Sequence, residues 1–162
     1  MPMSSRTLGL LIVLIVLVVA ILILVTQLAL SRSRGLTEPA VPLIEPVTKD
    51  IFAERGWQNT GILMESGETI HFQFLNGEIR DGEAVIRGPS GIGWACGKSD
   101  CCEPMPDVER DALIGRVGDQ LFAIGDMSEI TISANGELQL RINDCDAGLF
   151  DNSGSFRVKI SP

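Results

Sequence analysis

From Trp57 to the carboxyl terminus the chain repeats one pattern: short runs of alternating or β-branched residues, broken by Gly, Asn or Asp about every ten residues. That rhythm admits few architectures. "TIHFQF" puts Ile70, Phe72 and Phe74 on one face and His71 and Gln73 on the other, while "SFRVKI" does the same with Phe156, Val158 and Ile160. "WQNTGILM", "ALIGRVG", "QLFAIG", "SEITIS" and "ELQLRIND" supply further runs, with turns expected at "ESGE", "NGE" and "ANG". Trp57 and the phenylalanines are expected in the core. No amphipathic helix interrupts the series, so about eight short strands in two packed sheets are expected.

One segment does not belong to that pattern. Leu8 to Leu30 carries no charge and only Thr26 and Gln27 as clearly polar interruptions. At about 1.5 Å per residue it extends roughly 35 Å, enough to cross a hydrocarbon core of about 30 Å. It is also longer than the apolar region of a cleaved signal peptide. In lipid its Val and Ile residues are forced into a helix whatever their propensity, because no water satisfies the backbone. The expected organisation is a tail over 1–7, a transmembrane helix over 8–30, a Pro-containing linker over 31–46 and a β-domain over 47–162. Arg6 on one side and Arg32 and Arg34 on the other leave the positive-inside rule with little to discriminate.

The formal net charge is −8, nearly all of it beyond the linker, which argues against nucleic acid and anionic lipid surfaces and favours cations. The single histidine, His71, sits on a strand face expected to meet solvent and has no activated nucleophile beside it. "GPSGIG" has glycines but neither the Lys nor the helix of a phosphate loop. These absences point away from an enzyme.

Cys96, Cys101, Cys102 and Cys145 form an even set with a C-x4-C-C spacing that does not match zinc knuckles. Two disulfides in an oxidising compartment are expected instead. Adjacent Cys101 and Cys102 are strained partners, so one of them should bond Cys96 and the other Cys145. Beside Cys145 lies the polar segment "NDCDAGLFDNSG", where Asp144, Asp151 and Asn152 offer side-chain oxygens and Gly148 a carbonyl. A hard cation such as Ca²⁺ takes six to eight oxygens of these kinds. A plain polar turn has the same composition.

"LQLRIND", the following loop and "DNSGSFRVKI" resemble the carboxyl-terminal half of the calcium-dependent galactose-binding lectins of the PA-IL (LecA) type. "TGILMESGETIHFQFLNGEI", "RGPSG" and "ALIGRVG" extend the likeness upstream. The resemblance implies an all-β, jelly-roll-like sandwich (LecA-like) in which Ca²⁺ at the tip binds sugar hydroxyls directly. It implies as ligands the side chains of Asp144, Asp151 and Asn152, with the carbonyls of Gly148 and Asp81. Where those lectins carry a histidine and a glutamine that read the sugar, this chain has "IGWACGKSDCC". There Trp94 is either a platform for a sugar face or a buried ring clamped by a disulfide.

The reading that unites these features is a single-pass membrane protein with its calcium-binding, lectin-like domain on the periplasmic or extracytoplasmic side, taking a carbohydrate ligand. The alternative is a non-enzymatic accessory subunit of a larger membrane protein complex, whose β-domain makes protein contacts.

Overall fold

The computed structural model describes Pro39–Pro162 apart from Ser99, together with the isolated positions Val19 and Ile21. Those two positions aside, the expected membrane helix Leu8–Leu30 lies outside the described residues, as do the tail and residues 31–38 of the expected linker. Among the described residues no helix is long and apolar enough to cross a membrane.

The strands are β1 (Val41–Pro42), β2 (Val47–Phe52), β3 (Gln58–Met64), β4 (Thr69–Asp81), β5 (Ala84–Ile86), β6 (Leu113–Val117), β7 (Gln120–Ala123), β8 (Met127–Thr131), β9 (Gly136–Ile142) and β10 (Asn152–Ser161). A single 3₁₀ turn, Leu149–Asp151, stands between β9 and β10. One sheet has the order β1-β3-β9-β6-β7. The other has the order β2-β10-β4-β5, with β8 also paired to β4. All pairings are antiparallel except β1 with β3. The architecture is the all-β, two-sheet sandwich expected from the alternation. Part of the stretch expected as linker, Val41 and Pro42, is a strand of the first sheet, and Leu43 packs against the core.

The alternating residues do what their period requires. Ile70, Phe72, Phe156, Val158 and Ile160 from one sheet meet Leu113, Val117, Leu138, Leu140 and Ile142 from the other, and all are buried. Burial at about 25 cal/mol per Å² of apolar surface is what holds the two layers together. His71 faces outward, 3.6 Å from Glu129 on the neighbouring strand. Trp57 departs from expectation: it is half-buried rather than in the core, with the Arg116 guanidinium 4.4 Å above its ring and that of Arg141 at 5.6 Å. The indole serves as a surface for two cations, which an apolar core would not admit.

"NGE" is not a turn. Asn76–Glu78 lie inside β4, which continues to Asp81. The register against β10 slips just before this triplet, Arg157 facing Asn76 and Val158 facing Phe74, so Leu75 is the extra residue of a bulge. Gly77 has φ +119°, and a Cβ on it would overlap the Ser155 carbonyl oxygen. The bulge carries β4 on to the end of the sandwich, where Asp81 stands opposite Asn152.

Candidate metal centre

Three segments meet at that end: the terminus of β4, the turn leading into β10, and the loop between β5 and β6. The loop folds back on itself. Ile92 N–H donates to Arg110 O (3.1 Å), Arg110 N–H to Trp94 O (2.8 Å) and Gly97 N–H to Pro106 O (2.8 Å). The returning limb is then fastened to the end of β9, with Asp111 N–H on Asn143 O (3.1 Å) and Asn143 N–H on Ala112 O (2.8 Å). Asn143 is buried, and its amide donates to the carbonyls of Met105, Val108 and Glu109 while its Oδ1 accepts from Met105 N–H. A buried carboxamide with every group satisfied fixes one loop path.

Both disulfides close on this loop. Cys96 bonds Cys101, and Cys102 bonds Cys145, with Cα–Cα distances of 6.2 and 5.0 Å. Of the two pairings compatible with the cysteine spacing, this is the one adopted, and it leaves no free thiol for zinc.

Asp144 is fully buried. Its Oδ1 accepts from Cys145 N–H (2.8 Å) and pairs with Arg110 Nη2 (3.1 Å). Its Oδ2 accepts from Asn152 Nδ2 (3.0 Å). Gly148 curls against the same carboxylate: a Cβ there would come within 2.9 Å of Asp144 Oδ2, so only glycine permits this approach. The turn is closed by Gly148 N–H on Cys145 O (2.8 Å) and Asp151 N–H on Gly148 O (3.3 Å). Asp151 is exposed, and Gly82 N–H donates to its carbonyl (3.3 Å). Asn152 is 6% exposed, and its Oδ1 is buried without a partner among the described residues.

Asp81 contributes more than the carbonyl implied by the resemblance. Its carboxylate lies 3.0 Å from Arg110 Nη2. With Asp144 and Asp111 it forms a cluster whose ligand atoms lie within 4.8 Å of one another. Arg110 and Asp111 carry no metal-site pattern in the sequence; their only signal is a charged triplet, "ERD", immediately before the apolar start of β6. Asp111 is fully buried and is the sole non-glycine with positive φ among the described residues (63°). Neither of its oxygens accepts a hydrogen bond among the described residues.

Burial pushes the Asp111 carboxyl up to about 7, reinforced by the charges of Asp81 and Asp144. Burial also raises Asp81, against the opposing effect of Arg110. A carboxyl raised in the folded state binds its proton more tightly there than in the unfolded chain. Without metal, stability should therefore fall as pH rises from about 4 to about 7. Asp111→Asn, which mimics the neutral form, should remove that fall and gain on the order of 2 kcal/mol over wild type at pH 8. Urea titrations of both proteins in chelator across pH 4–8 check this; parallel profiles would rule it out.

The donors suit a hard divalent cation. Carboxylates, an orphaned buried carboxamide oxygen and a close-packed glycine loop are the ligand kinds Ca²⁺ takes. Trp94 is 52% exposed, so it is not a buried ring clamped by a disulfide. Phe150, next to Asp151 in the 3₁₀ turn, is 86% exposed and so departs from the expectation that the phenylalanines lie in the core.

No family model and no curated protein matches this chain. Among solved structures, one described as the EclA N-terminal domain, a PllA-like lectin, superposes with a TM-score of 0.56 at 24% identity, covering 74% of this chain and 96% of that one. The likeness is one of fold: the described residues from Pro39 onward form a two-sheet sandwich of the LecA-like lectin type.

Proposed function

We propose that this protein is a membrane-anchored, extracytoplasmic binding protein that holds Ca²⁺ through Asp144, Gly148, Asp151, Asn152 and Asp81 and takes carbohydrate at that ion. The observation that carries the reading is the orphaned Asn152 Oδ1 beside the buried Asp144 carboxylate. Rotation of the amide exchanges Nδ2 for Oδ1 and turns a hydrogen-bonded pair into two oxygen donors. The exposed rings of Trp94 and Phe150 supply the apolar faces on which a sugar stacks. The uncharged run Leu8–Leu30 supplies the anchor. Two disulfides suit an oxidising compartment, and such compartments are also where millimolar Ca²⁺ fills a weak site.

Calcium at 10 to 100 times its Kd should stabilise the full chain in detergent by about 1–3 kcal/mol, a rise of several degrees in Tm. Chelator should reverse the rise, and joint replacement of Asp151 and Asn152 by Ala should abolish it. A glycan array should show binding that requires calcium. A wild-type Tm indifferent to both calcium and chelator would end the calcium reading.

A further inference from the structure

Resting on that reading, we propose that Arg110 is a tethered cation that competes with Ca²⁺ for the carboxylates of this site and sets how much free calcium is needed to fill it. The arrangement is specific. One guanidinium nitrogen, Nη2, lies 3.0 Å from Asp81 Oδ2 and 3.1 Å from Asp144 Oδ1, between two carboxylates from different segments. The same two carboxylates belong to the acidic cluster that could hold a metal ion.

The other ionisable side chains that act on the cluster are acidic: Asp81 at the end of β4, Glu103 and Asp111 on the β5–β6 loop, and Asp144 and Asp151 around the 3₁₀ turn. Arg141, the nearest other guanidinium in sequence, is spent on Asp146 and the carbonyls of Ile142 and Asp144. Arg110 thus pairs with two carboxylates, Asp81 and Asp144, and also feels Asp111 and Glu103. Their mutual repulsion is relieved by whichever cation is present, the guanidinium or an added ion.

Arg110 is also an imperfect occupant. Its Nε is buried without an acceptor, and its Nη2 pairs leave both Asp111 oxygens without a partner. Its side chain is 30% exposed, so the guanidinium has a route to water. A small divalent ion carries twice the charge and binds oxygens from all sides, whereas a planar fork does not. The balance leaves the domain folded at low calcium and makes the sugar site conditional on the ion's concentration.

The test is calorimetric titration of Ca²⁺ into the full chain in detergent, wild type against Arg110→Gln. The variant should bind calcium at least about tenfold more tightly, because Asp81 and Asp144 lose their internal counter-charge. Tighter binding by the variant supports the proposal, whether or not wild type binds measurably. If wild type binds and the variant binds no tighter, the competition is refuted while the calcium site stands. If neither binds, both readings fall.

A second measurement uses wild type alone and so does not depend on the variant folding. With arginine labelled by ¹³C and ¹⁵N, the Arg110 guanidinium resonances should move from hindered, ion-paired values to those of a solvated side chain as calcium saturates. Guanidinium signals unchanged at saturation would overturn the proposal, since Arg110 would then be a partner of the bound site.

Discussion

Replacing Arg141 by methionine is expected to lower the free energy of unfolding by about 1–3 kcal/mol and to release the 144–152 turn. Arg141 is on β9, 2% exposed, and is among the largest fully buried side chains. Its Nε donates to Ile142 O (3.0 Å), its Nη2 to Asp144 O (2.7 Å) and its Nη1 to Asp146 Oδ1 (2.7 Å). The carboxylate is the lesser part of this set. Asp146 is 84% exposed, and an ion pair with one partner in water contributes at most about 1 kcal/mol.

What the guanidinium supplies is donors to two carbonyls at the point where β9 ends and the site begins. Methionine keeps much of the apolar volume and none of the donors, leaving the Asp144 carbonyl without its donor at about 1–3 kcal/mol, while the Ile142 carbonyl keeps the Asp144 N–H (2.9 Å). Asp146→Asn should therefore cost less than about 1 kcal/mol, and the contrast between the two variants in urea unfolding is the measurement. A cost for Arg141→Met no larger than that for Asp146→Asn would show that the surface pair, not the carbonyl clasp, is what matters.

Arg141 is invisible as a clasp in the sequence for a general reason. In "ELQLRIND" it occupies a strand position where an Arg reads as a solvent-facing residue, and nothing local announces that the chain after Ile142 will turn its carbonyls toward it. The strands themselves are legible because a period of two survives any tertiary context in which one face is buried. β2 is less so, since "VTKDIF" mixes apolar and charged residues on both faces and draws its pairing from β10. The Asn-Gly pair at 76–77 carries the strongest local signal for a hairpin, yet β10 pairs with both residues and holds the chain extended, with the register slip falling at Leu75.

The candidate site shows the same division. Asp144, Asp151 and Asn152 are close in sequence, so their grouping can be read from one segment. Asp81 reaches them through strand register, and Arg110 and Asp111 only through a loop whose path depends on Asn143 and two disulfides. Local chemistry proposes donors; long-range topology decides what shares the space with them.

Joint replacement of Cys102 and Cys145 by serine is expected to destabilise the protein by about 4 kcal/mol, against about 2 kcal/mol for Cys96 and Cys101. The ratio follows from loop length, because the first bond joins residues 43 apart and the second residues 5 apart. The longer bridge constrains much more of the unfolded chain. It also ties the β5–β6 loop to the residue directly after Asp144, whose Oδ1 accepts from Cys145 N–H. Without the bond, the limb bearing Arg110 and Asp111 is held to the turn by Asn143 and the Arg110 ion pairs alone. Calcium affinity should therefore drop in the Cys102/Cys145 variant and stay near wild type in the Cys96/Cys101 variant, whose small loop lies farther along the same arm. Guanidinium unfolding and calcium titration of the two variants separate these effects. Equal losses of stability and unchanged calcium binding in both would show that the loop reaches the site without its covalent tie. The opposite result would make the redox state of one bond a condition for the acidic cluster to exist, because the hydrogen bonds through Asn143 would then be too few to keep Asp111 beside Asp144.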